Sequence, residues 1–152
     1  MVSLKFHASK DAKWIYQWKR YLLFLPIFVI INCREIKTEN PKKAYGYWTK
    51  SHPNDQLNII HGNYWQSAHW SLEYKIYLEI DSNPDWWKEF KKVNNLIIDT
   101  SRTNESDFWE KPEWFNPAES SIKYKENSDF DQGSRYFKDP LNGKIFIYEI
   151  QL

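Results

Sequence analysis

The sequence predicts an α+β fold: a small antiparallel sheet with one main helix over 83–94 and a C-terminal β-hairpin, preceded by an N-terminal hydrophobic segment that exports or anchors the chain. Three stretches carry this prediction. From Ser71 to Asp81, Leu72, Tyr74, Ile76, Leu78 and Ile80 alternate with Glu73, Lys75, Tyr77, Glu79 and Asp81. A period of two over that length reads as a strand with one buried face and one wet face. Directly after it, Asn83-Pro84-Asp85 has the order of a helix start: a capping amide, a proline at the first helical position, and an acid where the macrodipole favours one. At the far end, Ser134–Lys138 and Lys144–Leu152 flank Asp139-Pro140-Leu141-Asn142-Gly143, a turn opened by proline and closed by Asn-Gly.

The helix should bury Trp86, Phe90 and Val93, with Trp87 widening the apolar face and Lys88, Lys91 and Lys92 facing water. Asn94-Asn95 ends it, and Leu96 to Ile98 returns as a short strand or extended segment. A further strand is expected over Leu57 to Ile60, with Gly62-Asn63 as turn residues before Tyr64 to Trp70. In the last strand Phe146, Tyr148, Ile150 and Leu152 share one face while Ile145 and Ile147 take the other, so it should be central in the sheet. Residues 99 to 121 are rich in turn signals yet hold Phe108, Trp109, Trp114 and Phe115. A loop with four large aromatics either covers core surface or presents a ligand platform, and covering the core is the expected role.

The chain divides into three expected parts: a basic leader with a hydrophobic segment over 1–33, a polar tether over 34–44, and one exported domain over 45–152. Lys19-Arg20 precede the uncharged run Tyr21 to Ile31, and Cys33, the sole cysteine, follows it. As a helix that run spans about 16 Å, against roughly 30 Å of hydrocarbon, so a stable spanning helix is disfavoured. With every residue apolar or aromatic it has no polar face, which fits a core helix badly. The leader carries Lys5, Lys10, Lys13, Lys19 and Arg20 against Asp11 alone, a layout that keeps the N-terminus in the cytoplasm. From Arg34 onward, 16 cations face 19 acids, so the rest is mildly acidic and has no nucleic-acid footprint.

A basic stretch, an apolar run and a processing site make up a bacterial export signal. Residues 19 to 33 resemble the signal of small lipoproteins of Gram-negative bacteria, although Ile30, Ile31 and Asn32 depart from the usual residues before the cysteine. The resemblance implies lipid modification of Cys33 and a home in the bacterial cell membrane or outer membrane, with the domain in the periplasm or facing outward. A retained short helix is the alternative topology. No cysteine follows Cys33, so the domain has no disulfide framework.

Chemistry-bearing patterns are sparse. His52, His61 and His69 have no local zinc spacing. Glu73 and Glu79 on one strand stand about 20 Å apart, too far for a glycosidase pair. Asn127 to Gly133 opens like a calcium loop, but glycine falls seventh and Lys138 occupies the twelfth position, so a polar turn is expected there. Four glycines form no nucleotide-binding motif. The expectation is therefore a non-catalytic binding module that uses no cofactor or metal, holding a protein or carbohydrate ligand on Trp109 and Trp114. An immunity-like inhibitor of a secreted toxin, or an envelope hydrolase assembled from histidines and acids, stands as the alternative.

Overall fold

The computed structural model describes residues 34–53, 57–69, 71, 73–102, 104 and 107–152. The hydrophobic segment and Cys33 lie outside these residues, and so do Trp70 and Leu72. Among the described residues no helix is long and apolar enough to cross a membrane.

The domain is sheet-dominated. Its strands are β1 (Ile36–Thr38), β2 (Leu57–Gln66), β3 (Tyr74–Ser82), β4 (Leu96–Ile98), β5 (Ile122–Glu126), β6 (Arg135–Lys138) and β7 (Lys144–Gln151). They form one sheet in the order β1-β2-β3-β7-β6-β5-β4, every neighbouring pair antiparallel. Two helices, α1 (Pro41–Thr49) and α2 (Pro84–Val93), accompany it. The hairpin of β6 and β7 and the central place of β7 agree with the sequence, but one helix and a hairpin understate the architecture.

The inner face of the sheet is the one the helices cover. Tyr64, Ile76, Leu78, Ile80, Tyr136, Ile145 and Ile147 project there and pack with Ala44 and Tyr45 of α1 and Trp87 of α2. Helix α2 begins as the sequence predicts: the Asn83 side chain accepts from the Trp86 N–H at 2.8 Å, and Pro84 takes the first turn. Its buried stripe is rotated from expectation, however. Trp87 is buried while Val93 is 71% exposed, and Phe90 stacks on Trp86 and Trp87 and reaches Tyr136.

The segment expected as a tether holds β1 and the start of α1 instead, and the compact unit runs from Glu35 to Leu152. Ile36, Lys37 and Thr38 pair with Gln66, Trp65 and Tyr64. Asn40 then caps α1 by accepting from the Lys43 N–H at 3.0 Å, and Pro41 opens the helix. The cap and proline signals are the same as those before α2.

Gly62-Asn63 is not a turn. Strand β2 runs straight through it, with a bulge between Ile59 and His61. A Cβ on Gly62 would lie 2.9 Å from Pro41 Cα, 3.0 Å from Ala44 Cβ and 3.1 Å from Leu78 Cδ2. The glycine is there so that α1 can lie against the strand.

The outer face of β3, expected to be wet, is also buried. Lys75 is 3% exposed, Tyr77 0% and Glu79 5%. Tyr77, Phe137, Phe146, Tyr148 and Ile150 form a second apolar cluster, closed by Phe115 with Phe108 and Trp114 from the long loop. That loop is a lid on the core, as its aromatics suggest. Leu152, placed with the buried set from sequence, is 66% exposed beyond the end of β7.

Candidate functional site

The cross-strand register sets three rows of side chains on the outer face. Lys37, Trp65 and Lys75 face one another across β1, β2 and β3. Asn63, Tyr77 and Tyr148 make the next row, and His61, Glu79 and Phe146 the third. The lid crosses these rows. Tyr77 donates its hydroxyl to the Trp109 carbonyl at 2.8 Å, and Phe115 meets the Tyr77 ring edge-on at 4.9 Å. Burial raises the phenols of Tyr77 and Tyr148 above the ordinary tyrosine range, so both stay neutral.

Trp109 and Trp114 therefore stand over different rows and do not form one platform. Trp109 lies at the first row, 43% exposed, edge-on to Trp65 at 5.3 Å. The Lys75 ammonium sits 4.3 Å from the centre of its ring and donates to Glu110 at 2.6 Å. A lysine buried on a strand needs such partners, since an unpaired charge there would cost several kcal/mol. Glu110 adopts a positive φ of 50°, the left-handed conformation, where the turn of the lid brings its carboxylate back to Lys75. Hydrogen bonding to Lys75, then its charge, holds the Glu110 carboxyl below the usual range.

Beside this group lies a cleft of about 230 Å³ lined by Lys37, Thr38, Glu39, Asn63, Trp65, Lys75 and Glu110. Its charged and amide groups border the Trp65 indole, whose N–H donates to Glu35 at 2.5 Å. Of this set the sequence singled out Trp109 alone. The alternation puts Lys75 on a solvated face, and only Tyr77 between Lys75 and Glu79 hints that this face has a cover.

Trp114 is half-buried and stacks on His61 at 5.1 Å with 19° between the planes. His61 Nδ1 lies 2.8 Å from the Glu79 carboxylate, whose other oxygen accepts from Lys144 at 2.6 Å. Burial pushes the Glu79 carboxyl up, but hydrogen bonds from Lys144 and His61 outweigh it and hold the group below its ordinary value. His52 and His69 are not part of this arrangement: His52 lies in the connection after α1 and His69 in the exposed turn before β3. No three His, Cys, Asp or Glu residues among those described are grouped to hold a metal ion.

One pair of carboxylates does meet, on the inner face. The Tyr136 hydroxyl is 2.9 Å from both Glu126 and Glu149, which places the two within about 6 Å, near the spacing of a retaining glycosidase. Glu149 also accepts from the Trp48 indole at 2.8 Å and from the Tyr74 hydroxyl. With those donors in place it ties α1 to the sheet, and its oxygens are engaged where a nucleophile needs one free. The polar turn at 127–133 is likewise closed on itself. Asp131 accepts from the Gly133 and Ser134 N–H groups and from Arg135, leaving no open calcium loop.

The molecule is thus defined as a seven-stranded α+β domain with helices on one face and an aromatic lid on the other. Comparison with protein-family models, curated proteins and solved structures returns no match.

Proposed function

We propose that the chain is a lipid-anchored protein of the bacterial cell envelope whose domain binds a ligand and does not catalyse a reaction. The observation that carries the binding reading is the exposed Trp109 indole, fixed by Lys75 and Trp65 beside a polar cleft. A rigid aromatic ring bordered by hydrogen-bonding groups suits a sugar ring, which stacks on an indole and spends its hydroxyls on amides and charges. At about 230 Å³ the cleft is below the range of most small-molecule sites, so it fits one pyranose unit of a longer glycan.

The test is a titration of the full chain with soluble oligosaccharide fragments of envelope polysaccharide, read by tryptophan fluorescence. Trp109→Ala should weaken binding by about 2 kcal/mol or more, roughly thirty-fold, in a variant that still unfolds cooperatively. Undiminished binding in that variant overturns the reading. A protein retained in place of glycan, and lost with the same substitution, assigns the cleft to a protein ligand such as a secreted toxin.

The anchor reading rests on the order of residues 19–33. Cys33→Ser should abolish incorporation of labelled fatty acid and release the chain from membranes. A variant that stays with the membrane is held by its uncut hydrophobic segment instead.

A further inference from the structure

On the side of α1 turned away from the sheet is an open pocket of about 470 Å³, lined by Lys42, Lys43, Gly46, Tyr47, Lys50, Ser51 and His52. The helix geometry explains the gathering. Lys42, Gly46 and Lys50 follow at intervals of four, and Lys43 and Tyr47 lie one step round at the same spacing, so two adjacent rows share a face. Lys50 takes the left-handed conformation at the helix end with φ 56°, and the chain turns through Ser51 to bring His52 against that face. Among the described residues no acid lines the pocket. Among the described residues none of the three lysines and not His52 makes an ion pair. Elsewhere in the domain Lys37, Lys75, Lys123, Arg135 and Lys144 all have carboxylate partners.

Two further features give the pocket a shape. Tyr47 forms a wall and is held by stacking on the buried Tyr64 ring at 5.5 Å and 23°. Gly46 forms the floor, in the middle of a helix of nine residues, where glycine is the poorest former other than proline. The fold does not require it. A Cβ there would meet only the Ser51 carbonyl oxygen, at 3.5 Å, an ordinary contact. This is the reverse of Gly62, where helix and strand leave no room. Alanine at 46 would favour the helix, and what it would take away is depth in a pocket ringed by cations.

We propose that this pocket binds a phosphate ester, its phosphate held by Lys42, Lys43 and Lys50 and its organic part lying on Gly46 against the Tyr47 ring. Several ammonium groups with no acid among the described lining residues suit an anionic phosphate, monoester or diester, and the volume exceeds what bare phosphate fills. The same chemistry is offered by a soluble phosphate monoester and by the headgroup of an anionic lipid. The site is separate from the Trp109 cleft and does not rest on the binding role assigned there.

The test uses the full chain in phosphatidylcholine nanodiscs, with the Gly46 amide and the Tyr47 ring followed by NMR. Phenyl phosphate should shift both signals saturably, while phenol at equal concentration should not. A Lys43→Gln/Lys50→Gln double variant should bind at least tenfold more weakly. If the natural source is a lipid headgroup, the same shifts appear without additive when phosphatidylglycerol is included in the disc, and the double variant loses them. Gly46→Ala is the sharper arm: it should raise the melting temperature by roughly 2 to 6 °C and still weaken binding at least fivefold. No shift with either phenyl phosphate or phosphatidylglycerol overturns the proposal. So does a Gly46→Ala variant that binds as tightly as the original chain.

Discussion

Glu79 shows how a single buried carboxylate ties elements together. It sits on β3 under the lid, pairs with His61 on β2 and accepts from Lys144 on β7. Asp99 plays a comparable part beside β5 and β6: burial pushes its carboxyl up, while the hydrogen bonds of Ser101 and Lys123 hold it lower overall. A carboxyl held below its unfolded value contributes stability that is present above that value and lost as pH falls through the folded one. Stability should therefore be level from neutral pH down to about pH 5 and fall below about pH 4.5, near where free carboxylates titrate. Glu79→Gln should cost about 1 to 3 kcal/mol at neutral pH and flatten part of the acid fall. Denaturant melts from pH 3 to pH 8 check this, and an unchanged acid limb in the variant would remove Glu79 from the account.

At the scale of elements, the closest approach is that of α1 to β2 at Gly62. Gly62→Ala should destabilise the domain by about 1 to 3 kcal/mol, because backbone and a buried leucine cannot yield as a flexible side chain would. Thermal unfolding measures it, and a neutral outcome would mean that α1 shifts freely on the strand. The same residue explains a limit of sequence reading. Gly-Asn between apolar residues has turn chemistry, and nothing local says that a helix 20 residues earlier will pack on it. β3, α2 and the β6–β7 hairpin were legible because alternation, capping and turn residues are local signals. β1 and β5 were not: Ile36 is the sole apolar residue of β1, and Ile122 and Tyr124 stand among lysines in β5. Their partners make them strands. For the same reason Trp109 could be picked out by its setting in the loop, whereas Lys75, Trp65 and Asn63 became a site only through cross-strand register.

For the molecule as a whole, the sheet is buried on both faces at its centre. Leu78 is fully buried on the helix side of β3, two residues from Ile76 and Ile80, which are equally inaccessible. Leu78→Asp should abolish cooperative unfolding, since a buried unpaired charge costs several kcal/mol against a total stability of about 5 to 15. Circular dichroism melts of the full chain decide it, and a sharp transition at the original temperature would contradict the two-sided core. The order of the strands has another consequence, in time. β7 comes last of the seven along the chain, yet it is the strand that joins β3 to β6. Before it emerges, the β1-β2-β3 and β4-β5-β6 halves share no strand pairing that would make them one sheet, and both apolar clusters lack the residues of β7. Elongation at roughly 5 to 20 residues per second therefore leaves the chain without its native core until β7 has been made. On the proposal that the leader directs the chain across a membrane, that delay favours an extended, threadable state while the chain is being made.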